Sequence, residues 1–129
     1  MIAIDTNVLV RYFLAVEDDE TERAIRLIEN DLSADMRGFV TAITLCEIIW
    51  VLRDRYQFGY ESQAAVVQLM LDAPQLQLEH EDSASAALAS RHPDIADALI
   101  HHIGQSSGCL HTLTLDKKFA RLAGVMLLV

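Results

Sequence analysis

At 129 residues the chain has room for one domain with a sizeable core and too little for two ordinary ones. Its 52% hydrophobic and 22% charged residues exclude a disordered chain, and no apolar run approaches the ~20 residues of a membrane span. A net charge of −9 predicts weak non-specific affinity for phosphate backbones, so any hold on a nucleic acid has to be selective or metal-assisted.

The opening stretch, MIAIDTNVLVRYFLAV, begins with four residues that read as a central, doubly buried strand. Asp5 follows directly, at the end of a parallel strand where open α/β sheets gather their chemistry. Thr6 and Asn7 are candidate caps for a helix whose apolar positions, Leu9, Val10, Phe13 and Leu14, recur at helical spacing. A second helix spans 20–32 with Ile25, Ile28 and Leu32 on one face, and residues 33–38 break it. Phe39 to Ala42 reads as a strand, 43–53 as a helix, 54–60 as an aromatic-bearing loop and 61–72 as a helix ended by Pro74. Leu76 to Leu78 alternate as a strand. Helices are predicted over 83–90 and 94–104, a strand over 109–115, a short helix over 116–122 and a terminal strand over 125–129. Strands alternating with helices predict a small, mainly parallel sheet covered on both faces, within a single domain of residues 1–129.

Four acids stand out against this frame. Asp5 follows the first strand. Glu47 sits among apolar neighbours in TAITLCEIIWVL, where an ionised group is costly without water, a partner or a metal; the plain alternative is a solvent-facing edge shared with Thr44, Val51 and Asp54. In HPDIADALI, Asp94 is a natural N-cap and acids suit a first helical turn. Capping explains Asp97 less well, because two ionised carboxylates one turn apart repel without a cation. Asp116, after the strand containing Thr112 and Thr114, also suits an N-cap, and the two threonines share one side of that strand. The coincidence is more informative than any one acid. Three of them fall at or near strand ends and the fourth in a first turn, positions that converge on one rim of a parallel sheet. Such an all-oxygen set suits Mg²⁺ or Mn²⁺, and without a Gly-rich phosphate loop it points to metal-assisted phosphodiester hydrolysis.

Other chemistries fall away. The five histidines show no HExxH or Cys/His metal spacing and read as surface or partly buried side chains. No GxSxG, GxxxxGK[ST] or GxGxxG is present. Cys46 and Cys109 lie far apart in apolar surroundings and read as small buried hydrophobes in a reducing cytoplasm, with no secretory segment at the N-terminus. The charge is uneven: residues 17–35 hold eight acids and two arginines, whereas Lys117, Lys118 and Arg121 make the stretch after Asp116 locally basic.

MIAIDTNVLVRYFL, TAITLCEIIWVLRDRYQF, DIADALI and GCLHTLTLDKKFARLAGV, in that order, resemble a PIN domain of the VapC toxin type over nearly the whole chain. The resemblance implies a three-layer α/β/α fold and an Mg²⁺- or Mn²⁺-dependent endoribonuclease, the translation-inhibiting toxin of a type II toxin–antitoxin pair. Its acidic site maps onto Asp5, Glu47, Asp97 and Asp116, with Asp94, Thr6, Asn7 and Thr114 as accessory positions. Arg11, Lys117, Lys118 and Arg121 are candidates for contacting RNA. A homodimer and a cognate antitoxin are the implied partners, and no membrane is. The alternative is a catalytically silent PIN-like module that holds an antitoxin-like partner. The departures are Leu110 and His111 where the pattern often has an acid, and a net charge that is acidic for an RNA-cutting protein.

Overall fold

The computed structural model describes residues 1–14 and 17–129; Ala15 and Val16, the last two residues of the opening apolar stretch, lie outside the described residues. The chain forms two compact units, Met1–Glu79 and His80–Val129. Among the described residues are six α-helices and two small parallel sheets, in agreement with the α/β/α class expected.

In the first unit, β1 (Ile2–Ala3), β2 (Gly38–Val40) and β3 (Leu76–Leu78) form a parallel sheet in the order β1-β2-β3. Ile2 pairs with Gly38, and Gly38 with Leu76. The middle strand is thus β2; β1 is an outer strand of this sheet with Ile2 and Ala3 exposed, not the doubly buried strand expected. A four-residue apolar run does not by itself distinguish the two. Glycine is required at 38, since a Cβ there would lie 2.8 Å from Ile4 Cγ1 and 2.9 Å from Leu32 Cδ1.

Helix α1 (Thr6–Leu14) buries Leu9 and Val10. Its first turn closes from the Val8 N–H to the Asp5 carbonyl, so Thr6 and Asn7 lie inside the helix and do not cap it. Helix α2 (Asp19–Arg26) is capped by Asp18, whose carboxylate accepts the Thr21 N–H, and it widens into a π-helical turn over Leu27–Asp31. Helix α3 (Ala42–Asp54) starts where Thr41 caps the Thr44 N–H. Helix α4 (Tyr60–Asp72) follows. Leu45, Ile48, Ile49, Leu52, Val67 and Met70 from these two helices are almost fully buried; each large apolar side chain contributes roughly 1.5–3 kcal/mol by burial.

In the second unit, α5 (Glu81–Ser90) packs on α6 (Ile95–Ser106), and β4 (Thr112–Thr114) pairs in parallel with β5 (Val125–Leu127). The strand expected from 109 begins three residues later because the Cys109 N–H is given to the Gly104 carbonyl (3.0 Å), whereas the Thr112 N–H reaches Gly124 O (3.0 Å). Cys109 is consequently exposed in the turn leaving α6 rather than buried as expected, while Cys46 is half-buried, and neither is in a disulfide. The helix expected over 116–122 contracts to a 3-10 turn at Phe119–Arg121. The histidines also differ from expectation: His92 is buried, and His101, 1% exposed, shares a hydrogen bond of 2.9 Å between Nδ1 and Thr112 Oγ1 that meets its polar requirement. Gly124 (φ +89) lies so close that a Cβ would approach His101 Cε1 to 2.8 Å. No helix of the described residues is long and apolar enough to cross a membrane.

Candidate functional site

The first unit brings Asp5 and Glu47 together through one residue. Asp5, exposed just beyond β1, accepts the Thr6 N–H at Oδ1 (2.8 Å). The buried Thr6 hydroxyl then donates to Glu47 Oε1 (3.3 Å). Thr41 at the head of α3 sets the helical phase that buries Leu45, Ile48 and Ile49 and leaves Glu47 on the exposed face. Glu47 therefore answers to both sequence readings: it faces solvent, and it has a specific polar partner beside Asp5.

Asn7 and Arg11, on successive turns of α1, line a groove of about 280 Å³ with Val8, Glu20, Arg23 and Leu27. Arg11 is engaged there rather than free for a substrate. Its Nη1 bonds Asp18 Oδ2, and its Nε lies 2.9 Å from Glu20 Oε2.

The second unit gathers Asp94, Asp97 and Asp116. Asp94 caps α6, its Oδ1 accepting the Asp97 N–H (3.0 Å). Asp97 is half-buried in the first turn of that helix. Its carboxyl is held above the ordinary carboxylate range, chiefly by burial, then by the negative charges of Asp94 and Asp116, with His92 acting in the opposite direction. Asp116 is fixed at both ends: its N–H donates to Thr114 Oγ1 (3.0 Å), and its Oδ1 accepts the N–H of Lys118 (2.8 Å) and of Phe119 (3.4 Å). Those two bonds cap the turn that follows, as the sequence predicts for Asp116, and the expected helix is cut to one 3-10 turn where the backbone becomes extended at Leu122. Thr114 is thus a support for the Asp116 turn, and Thr112 on the same side of β4 serves His101 instead. Lys117, Lys118 and Arg121 are exposed on that turn.

Sequence reasoning sets His92 aside with the other histidines, yet its ring lies against Phe119, with centroids 5.6 Å apart. Only its place two residues before Asp94 marks it in the sequence.

Among the described residues, no group of three or more His, Cys, Asp or Glu side chains is arranged to hold a metal ion. The donor chemistry nevertheless fits a hard divalent cation. All the candidate donors are carboxylates, and Asp97 carries negative charge that burial and two neighbouring acids disfavour; a bound cation relieves that penalty.

Short parallel strands followed by helices, with exposed or half-buried acids near the strand ends and helix starts, define the class: an α/β protein of small parallel sheets. No curated protein matches the chain. The family model of the PIN domain matches residues 2–125, and the chain belongs to the PIN-domain family, whose members are generally metal-dependent nucleases.

Proposed function

We propose that this PIN domain is an endoribonuclease that cleaves RNA with Mg²⁺ or Mn²⁺, acting as the VapC-type toxin of a toxin–antitoxin pair in the cytoplasm, with residues 1–129 as one nuclease domain. The observation that carries the reading is the family match over residues 2–125 together with an acid at every one of the four motif positions, Asp5, Glu47, Asp97 and Asp116.

Asp5, Asp97 and Asp116 would hold the cation. When bound, it lowers the pKa of a water and neutralises charge on the phosphoryl oxygens. Glu47 would orient the attacking water or hold a second cation, and the Thr6 hydroxyl restrains its carboxylate. In-line attack on the scissile phosphate would leave 5′-phosphate and 3′-hydroxyl ends. Lys117, Lys118 and Arg121, exposed beside Asp116, would steer the RNA backbone. Arg11 is a poorer candidate for that role, being already paired with Asp18 and Glu20. A homodimer restrained by an antitoxin completes the proposal, and the acidic start of α2 suits a basic partner segment.

The test is cleavage of total cellular RNA by purified protein with Mg²⁺ or Mn²⁺, beside Asp5→Asn and an EDTA control. Metal-dependent cuts that disappear in the variant are expected. Wild type and variant equally inert, with no metal binding by titration, would overturn the nuclease reading in favour of a silent binding module. For the partners, a particle of monomer mass both alone and in lysate would count against dimer and antitoxin alike.

A further inference from the structure

The loop between α5 and α6 is more tightly built than a connection of its length requires. Arg91 ends α5 in the left-handed region at φ +57, a conformation that costs a non-glycine residue energy and persists only where the surroundings impose it. The next residue, His92, has its N–H bonded to Ser90 Oγ (3.2 Å), and that hydroxyl in turn donates to Ala87 O (2.7 Å). These restraints deliver a ring that is only 8% exposed onto Phe119, tilted by 39°. Phe119 is itself buried, and its N–H is one of the two held by the Asp116 carboxylate. On the other side, two residues beyond His92, Asp94 caps the helix that carries Asp97.

We infer that the His92–Phe119 stack is a positioning clamp, which ties the loop leading to Asp94 and Asp97 to the turn that carries Asp116 and so fixes the spacing of these acids for a divalent cation. The inference rests on the metal-dependent reading above and adds to it a residue outside the acidic motif. The clamp works by ring packing; aromatic pairs with centroids 4.5–7 Å apart hold each other beyond simple burial. It predicts that a ring, not an imidazole nitrogen, is what position 92 needs.

The experiment is Mn²⁺ titration by calorimetry on His92→Ala, His92→Leu, His92→Phe and Asp97→Asn, with the melting temperature of each in EDTA as a measure of folding. His92→Phe should bind Mn²⁺ within about twofold of wild type. His92→Leu, which fills the space without a ring, should bind at least fivefold more weakly while staying folded, as should His92→Ala where it folds. Asp97→Asn should lose binding. Should Asp97→Asn lose Mn²⁺ while His92→Leu binds like wild type, the clamp is overturned and the nuclease reading stands. His92→Phe as weak as His92→Leu also overturns the clamp, since a nitrogen and not the stack would then matter. If Asp97→Asn binds as tightly as wild type, the metal reading fails and the clamp fails with it.

Discussion

Replacing Asp97 by Asn is expected to stabilise the fold while removing a proposed metal ligand. The half-buried carboxylate of Asp97 lies one helical turn from Asp94 and within range of Asp116, and its carboxyl is held up first by burial and then by those two charges. Across the ~5–6 Å between Cβ atoms of such a pair, two unit charges repel by about 3 kcal/mol at an effective dielectric of 20 and by less than about 1 kcal/mol in water. Solvent reaches all three acids to some degree, so a gain of about 1 kcal/mol is expected for the amide. For a chain of this length that is a rise of roughly 3–5 °C in Tm. Calorimetry at pH 7 in EDTA measures it. The pH dependence has a definite sign. A carboxyl raised in the folded state keeps its proton there longer than in the unfolded chain, so ionisation weakens the fold. The cost is absent below the unfolded value, grows as pH rises, and is complete above the folded value. The advantage of Asn should accordingly shrink to nothing as pH is lowered through the carboxylate range. Excess Mg²⁺ should reverse the order, since a ligand at about 100 times its Kd adds about 2.7 kcal/mol to the form that binds it. A variant that melts at or below wild type in EDTA at pH 7 would refute the reasoning.

Thr6→Val deletes the hydroxyl that donates to Glu47 Oε1 at 3.3 Å; for a long bond to an exposed carboxylate about 1 kcal/mol is at stake, which is roughly a fivefold loss in kcat. Single-turnover RNA cleavage checks it, and an unchanged rate would show that the Thr6 hydroxyl does not position Glu47 for the reaction. Gly38→Ala forces a methyl group against Ile4 and Leu32 in the middle strand and should lower stability by about 1–3 kcal/mol, read from chemical denaturation. Arg11→Ala should leave cleavage within about threefold of wild type, because the guanidinium is already occupied by Asp18 and Glu20; a large rise in KM would restore Arg11 to the RNA-contacting set.

Much of the α/β alternation was legible because period and punctuation agree: Leu76 to Leu78 alternates after Pro74 and is a strand, and Asp94 behind Pro93 is a cap. Three of the acids were legible as positions, since Asp5 and Asp116 follow strands and Asp97 lies in a helix's first turn, while Glu47, in the second turn of α3, stood out by its apolar neighbours. What the sequence hides is who takes each backbone N–H. The Phe119 carbonyl takes the N–H of Leu122, where the backbone turns extended and ends a predicted helix after one turn, and the Gly104 carbonyl takes that of Cys109 and shortens a predicted strand. Arg11 shows the same limit for side chains: a cation seven residues from Asp18 gives no hint in one dimension that the two are paired. His92 is hidden for a similar reason, since its partner Phe119 lies far along the chain.

The pairing registers carry a consequence for the order of folding. Ile2 opposite Gly38 and Gly38 opposite Leu76 each close a long stretch of chain before any ladder bond forms, whereas Thr112 opposite Val125 closes only a short one. Long closures delay pairing, because chain entropy is lost before contacts repay it. Synthesis nevertheless delivers the first unit earlier. The slower-closing half thus has a head start on the ribosome, and refolding from denaturant, which removes that head start, should protect the amides of β4 and β5 from hydrogen exchange before those of β1 and β2.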